Sequence, residues 1–202
     1  SSCPAEVIFF ANDRHHPVVA AHHAQGLKVV YRDGGDIVAA QHDTTVRLSL
    51  EHIPLTDNGR LAFQVDNVMA AVGAAWALKL CWNSVREKLS TFVSDAGTAP
   101  GRFNRFRLRG AEIIVDYGHN SDAMLALVRA LDELPARRRT VVVSGPGDRR
   151  DEDLRRQTQI LGEAFDRVVL YEDQCQRGRQ DGEVMALLRQ GLAGAQRTQD
   201  IV

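Results

Sequence analysis

The sequence predicts an α/β protein, and three observations carry that prediction. Ala111–Val115 and Thr140–Val143 are short apolar runs rich in β-branched residues, each ending in a polar, glycine-containing loop. Between them, Ser121 to Leu134 repeats apolar residues at helical spacing: Met124, Leu125, Leu127, Val128, Leu131 and Leu134. Strand, helix, strand in that order predicts a right-handed βαβ unit whose strands pair in parallel. The polar loops Asp116–Asn120 and Ser144–Asp151 then leave the carboxyl ends of neighbouring strands, the edge at which open α/β sheets bind ligands.

From the start of the chain, Glu6–Ala11 reads as a buried strand and Val18–Gln25 as a short helix stopped by Gly26. Leu27–Arg32 and Ile37–Ala40 form a hairpin through the tight turn Asp33-Gly34-Gly35-Asp36, and Thr44–Leu50 alternates as a half-exposed strand. After a loop over Ile53–Gly59, a long Ala-rich helix runs from Gln64 to Leu80. Its apolar residues cover most of the circumference, which predicts deep packing. Asn83 or Ser84 caps a further helix through Phe92. The small, polar stretch Ser94–Arg102 is the best domain boundary. Beyond it, Phe103–Arg109 and Ala111–Val115 read as a hairpin. Asp153–Phe165 reads as a helix, Arg167–Tyr171 as a strand and Gln180–Leu192 as a helix. The second half is thus a Rossmann-like βαβαβα domain with its last strands expected to be missing.

Composition is that of an ordinary globular chain, with 44% hydrophobic and 25% charged residues. The net charge of −1 gives no reason to expect nucleic acid or a membrane surface as partner. No apolar run approaches the ~18–20 residues of a membrane span, and Ser1-Ser2-Cys3-Pro4 lacks the layout of a secretory signal. Cys3, Cys81 and Cys175 are odd in number and far apart, so reduced cytoplasmic thiols are expected rather than zinc or disulfides. The missing initiator Met and the abrupt ending at Ile201-Val202 suggest a chain cut at both ends.

Chemistry is concentrated in the strand-end loops. Asp116 stands where a carboxylate accepts from a ribose diol, and His119 and Asn120 follow within reach of phosphate. Asn120 or Ser121 equally serves as a plain helix cap. Gly145-Pro146-Gly147-Asp148-Arg149-Arg150 offers close backbone approach and charge at the same edge, but it is neither a dinucleotide fingerprint nor a phosphate-cradling GxxxxGK[ST] loop. Glu172-Asp173 with Arg177-Gly178-Arg179 suits a charged amino acid or internal salt bridges. His15, His16, His22 and His23 read as surface residues, with no metal site expected, and Trp76 and Trp82 as core.

FQVDNVMAAVGAAWAL (63–78), PGRFN (100–104), VDYGHNSDA (115–123), SGPGDRRDED (144–153) and YEDQCQRGRQDGE (171–183) together resemble the Mur ligase superfamily. Within it they resemble the C-terminal, Mur-ligase-like half of the cyanophycin synthetase family. VDYGHN, GPGDRRDED and RGRxxGE in this order are specific to that family, where other Mur ligases carry looser versions. The resemblance covers nearly the whole chain. It implies the end of a central ATPase-type domain over residues 1–98, without its phosphate loop, then a Rossmann-like Mur ligase C-terminal domain over 99–202. The phosphate loop and the Mg²⁺-binding acid would lie before Ser1, so the chain alone is expected to bind pieces of the ligands without turnover. Ser121 stands where the family usually has Pro.

The activity so implied is an ATP-dependent amide ligase of the cytoplasm. It uses ATP with Mg²⁺ to activate the β-carboxylate of an aspartate-based polymer primer, to which it adds arginine. A homo-oligomer is expected. By resemblance Asn67 contacts adenine, Arg102 at the interdomain hinge reaches nucleotide, and Asp116 holds the ribose. His119 and Asn120 face the γ-phosphate side as the catalytic pair. Asp148, Arg149 and Asp151 line the incoming amino-acid site, where a carboxylate matches the planar fork of a guanidinium. The alternatives are a ligase joining β-aspartyl-arginine dipeptides, a peptidoglycan-precursor or folylpolyglutamate ligase, and a non-catalytic Rossmann-like binding or assembly module.

Overall fold

The computed structural model describes residues 5–202, so Cys3 and the Ser1–Pro4 segment lie outside the described residues. The chain divides into two compact units, Ser1–Val115 and Asp116–Val202.

The first unit is built on a four-stranded sheet of order β1-β2-β3-β4, formed by Phe9–Ala11, Val29–Asp33, Asp36–Gln41 and Thr44–Ser49. β1 and β2 run parallel, joined by helix α1 (Pro17–Ala24), and β2, β3 and β4 are antiparallel neighbours. Alternation divides the side chains between two faces. Val30, Ile37, Ala39 and Leu48 pack with Val65, Val68, Met69 and Val72 of helix α2 (Ala62–Ala77). Val29, Tyr31, Val38 and Ala40 pack with Val19 of α1. Cover on both faces explains why β2 opens on an uninterrupted apolar run. The β2–β3 hairpin turns on Gly34-Gly35, and Arg47 of β4 bridges Asp33 at 2.9 Å and Asp36 at 2.8 Å, offsetting the repulsion of the paired acids.

Three readings of this half change. The buried strand expected over Glu6–Ala11 is the short edge strand Phe9–Ala11, and Phe10 is exposed. α2 is not packed all round: Ala70, Ala71, Ala74 and Ala77 are exposed. Alanine favours helix at the surface as well as in a core, so an Ala-rich circumference overstates burial. Helix α3 (Trp82–Thr91) begins before Asn83 and Ser84. Its cap position is Cys81, whose Sγ lies 3.1 Å from Ser84 Oγ.

The unit ends in the hairpin β5 (Asn104–Leu108) and β6 (Ala111–Val115), turned by Arg109-Gly110 with φ of 50° and 81°. Positive φ at both turn residues matches the right-handed strand twist, and glycine supplies one of them without strain. Asn104 is buried and fixes the approach to the hairpin: its Oδ1 accepts from Gly101 N–H at 2.6 Å and its Nδ2 donates to Ala99 O at 3.0 Å.

The second unit holds α4 (Ser121–Asp132), β7 (Thr140–Val143), α5 (Asp151–Ala164), β8 (Arg167–Leu170), α6 (Glu183–Leu192) and β9 (Asp200–Ile201). Its sheet is parallel throughout, in the order β7-β8-β9. Sequential right-handed crossovers place α5 and α6 on one face. Their close approach rests on glycine, since a Cβ on Gly191 would stand 2.2 Å from the Arg155 carbonyl oxygen. Leu154, Leu161, Val168, Val184 and Leu188 form the centre of the core, and Leu125, Val128 and Leu131 of α4 pack against it.

The expected parallel pair of β6 and β7 is not formed: β6 pairs with β5 in a sheet of two strands, and β7 opens a separate sheet. The two-residue turn at Arg109-Gly110 gives β6 its antiparallel partner, and no strand of the second unit takes the other edge among the described residues. The βαβ units are β7-α5-β8 and β8-α6-β9 instead. A terminal strand, β9, is present where none was expected. It spans only two residues, too short a run for periodicity to register.

Candidate functional site

The second unit opens on Asp116–Asn120, a loop held by local bonds. Asp116 Oδ1 accepts from the Gly118 N–H at 2.6 Å, a side-chain turn that bends the chain directly after β6. His119 Nδ1 lies 3.2 Å from the Tyr117 carbonyl oxygen, and the two rings meet edge to face at 5.3 Å. Asn120 Oδ1 accepts from Ala123 N–H at 2.8 Å, so Asn120 rather than Ser121 caps α4.

The loop after β7 is shaped by what its glycines face. A Cβ on Gly145 would stand 2.5 Å from the Leu154 side chain, and one on Gly147 would stand 2.0 Å from the Gln176 carbonyl oxygen. Gly147 thus lets this loop touch the loop that follows β8. Side chains then join the two. Arg177 Nη1 donates to both Asp148 oxygens, at 3.2 and 3.1 Å. Arg179 is the more enclosed of the two arginines, and its guanidinium meets Asp151 at 2.9 Å and Glu183 at 2.6 Å. Glu172 Oε1 accepts from Gly182 N–H at 2.6 Å, closing the second loop on the start of α6. The Ser144 hydroxyl, at the carboxyl end of β7, is buried and has no hydrogen-bond partner among the described residues.

The electrostatics follow from these pairs. The Arg177 guanidinium holds the Asp148 carboxyl below the usual carboxylate range, so the group is charged at neutral pH. Arg177 is raised chiefly by its hydrogen bonds to Asp148. Arg179 is raised by Asp151 and then Glu183.

The structure therefore gathers Asp148, Arg149 and Asp151 with the 171–183 loop at one sheet edge. Of the other predicted residues, Asn67 lies on the exposed side of α2 and donates to Gln64 Oε1 at 3.1 Å. Arg102 is exposed, and its carbonyl accepts from Ser94 Oγ at 2.6 Å. Both belong to the first unit. A cavity of about 400 Å³ in that unit, lined by Arg47, Ser49, His52 and Arg86 among others, includes no predicted site residue. His22 and His23 make backbone contacts, to Val7 O at 2.9 Å and His42 O at 3.1 Å. Sequence reasoning left the partners of Arg177 and Arg179 open. Both pairings span about 30 positions, beyond any local pattern (Arg177–Asp148, 29 apart; Arg179–Gly147, 32 apart).

The Mur ligase, glutamate ligase domain family matches residues 101–201. Cyanophycin synthetase of Trichormus variabilis is 33% identical over 93% of this chain and 21% of its own length. That of a Synechocystis species is 35% identical over 93% of the chain and 22% of its own length. The chain thus spans about a fifth of the length of these relatives. Among solved structures, Mycobacterium tuberculosis folylpolyglutamate synthase, complexed with ADP and AMPPCP, aligns with a TM-score of 0.56 at 20% identity. It covers 96% of this chain and 45% of its own, a likeness of fold. With half its residues matched by the family, the α/β chain belongs to the Mur ligases.

Proposed function

We propose that the protein is an ATP-dependent amide ligase that makes cyanophycin, adding arginine to the β-carboxylate of a polyaspartate backbone. The observation that carries this reading is the identity of 33–35% to cyanophycin synthetases across 93% of the chain. ATP phosphorylates the β-carboxylate; the arginine α-amine attacks the acyl phosphate, an amide forms, and phosphate and a proton leave. ATP supplies the activation, with Mg²⁺ as its counter-ion, and the 202 residues contain no GxxxxGK[ST] stretch.

In this reading the domains divide at 98/99, Asn67 contacts adenine, Arg102 reaches nucleotide and Asp116 holds the ribose. His119 faces the γ-phosphate side. Asn120 acts there chiefly by capping α4, since its side-chain oxygen is already engaged, and the capped helix keeps its positive end toward an anion. Asp148, Arg149 and Asp151 receive the incoming arginine. Support comes from Asp148 and Asp151 each holding a guanidinium of the chain itself. The Asp148 side chain is also 54% exposed, which leaves it open to a second one. The protein is expected to be cytoplasmic and homo-oligomeric.

The test is phosphate release from ATP by the full-length protein with a β-aspartyl-arginine primer, scanning single amino acids. Release that requires arginine together with aspartate supports the proposal. Release with another amino acid, or with the dipeptide alone, keeps the ligase chemistry and discards the substrate. No release sinks both.

A further inference from the structure

We infer that Arg179 is a positioning residue: its guanidinium fixes the backbone on both sides of Asp148 and so sets the affinity for the incoming amino acid. This rests on the proposed amino-acid site at that loop. Only 15% of the Arg179 side chain is exposed, although the loop that carries it is mostly exposed. Its Nε donates to the Gly147 carbonyl oxygen at 2.7 Å and its Nη2 to the Arg149 carbonyl oxygen at 2.6 Å. Those two carbonyls flank Asp148. The same fork meets Asp151 at 2.9 Å and Glu183 at 2.6 Å, tying the loop to the first residues of both α5 and α6.

Division of labour between the two arginines follows. Arg177 holds the Asp148 carboxylate and is 45% exposed, so it is screened and replaceable by another cation. Arg179 holds main chain, where a rigid fork of several donors satisfies carbonyl and carboxylate acceptors at once. Lysine, a compact charge on a flexible stem, does not reproduce that fork. The close seat of Gly147 against Gln176 adds a second, independent tie between the same loops.

The test uses the full-length protein with Arg179→Ala, Arg179→Lys and Gly147→Ala. A loop displaced by about an ångström raises the KM for the incoming amino acid roughly tenfold or more, with the KM for ATP moving less than about twofold. Arg179→Lys does not restore it, and Gly147→Ala reproduces the split. Hydrogen exchange of the 147–151 amides rises in all three while the melting temperature stays within a few degrees. An unchanged amino-acid KM, a parallel rise in both KM values, or full rescue by lysine overturns the inference. If the wild type shows no amino-acid-dependent release, the proposed function falls on its own. Exchange still judges Arg179, and protection of 147–151 unchanged in Arg179→Ala overturns its role.

Discussion

The two ends of the β7-β8-β9 sheet are both tied by acid–arginine contacts, yet they are built differently. At the amino end a single residue, Asp166, joins the approaches to all three strands. Its carboxylate accepts from Arg139 N–H at 2.7 Å ahead of β7 and from Arg197 Nε at 3.0 Å ahead of β9. Its own carbonyl accepts from Gln199 N–H at 3.1 Å. At the carboxyl end the ties run between two long loops, and the pair nearest the predicted ligand, Asp148–Arg177, is about half exposed on both sides. One end is a short clamp in which a carboxylate satisfies main-chain and side-chain donors. The other keeps the Asp148–Arg177 pair facing water, with the enclosed Arg179 beneath the same loop. The first suits stability, the second exchange of a partner.

Substitutions at the two ends should therefore separate. The largest effect of all is expected outside that sheet, in the loop after β6 that the proposed function gives to nucleotide: His119→Ala or Asp116→Ala in the full-length protein lowers turnover roughly a hundredfold with little change in melting temperature. Unchanged rates for both would remove these residues from the site. Next comes Asp166→Asn, which lowers the melting temperature by about 3–6 °C and leaves the amino-acid KM alone; a shifted KM with unchanged stability would break the comparison.

Acid gives the same clamp a signature. The Arg197 guanidinium, then the Arg139 N–H, hold the Asp166 pKa below its ordinary value. A depressed folded pKa means its stabilisation is fully present above about pH 4, the unfolded range, and is lost as pH falls through the folded value. The gap in melting temperature between wild type and Asp166→Asn should accordingly begin to narrow below about pH 4 and close as pH falls past the folded value; a gap that persists in strong acid would assign the effect to packing. The smallest expected stability effect is that of Asp148→Asn, within about 1 °C, because exposed ion pairs contribute little. A large loss there would make the ligand end a structural clamp after all.

Much of this architecture was legible in the residues. α5 and β8 announce themselves through helical spacing and an apolar β-branched run, and the glycine-rich loop at 144–150 marks a sheet edge. Strand pairing was less so. The hairpin of Ala111–Val115 with β5 was legible, but nothing in the composition of the strand says whether its other edge takes β7. The site was legible as a set of loops, not as a set of contacts. Composition marked the 144–151 loop as charged and glycine-rich, whereas the amino-acid role expected of Asp148 and Asp151 came from the resemblance. Arg179 was legible as a residue suited to a charged amino acid or to internal salt bridges, but two of its acceptors are main-chain carbonyls, which carry no signature in side-chain type.

The two-residue strand β9 has a consequence for how the second unit is made. β8 is central because β9 pairs with it at Arg167–Asp200 and Val168–Ile201, a pairing that Val202 extends by donating to Val168 O at 3.0 Å and accepting from Leu170 N–H at 2.8 Å. During synthesis β7 and β8 emerge before that cover exists, leaving an apolar strand with a bare hydrogen-bonding edge. Such an edge is a template for intermolecular pairing. Nascent chains stalled before Asp200 should therefore aggregate more readily than those that have passed it.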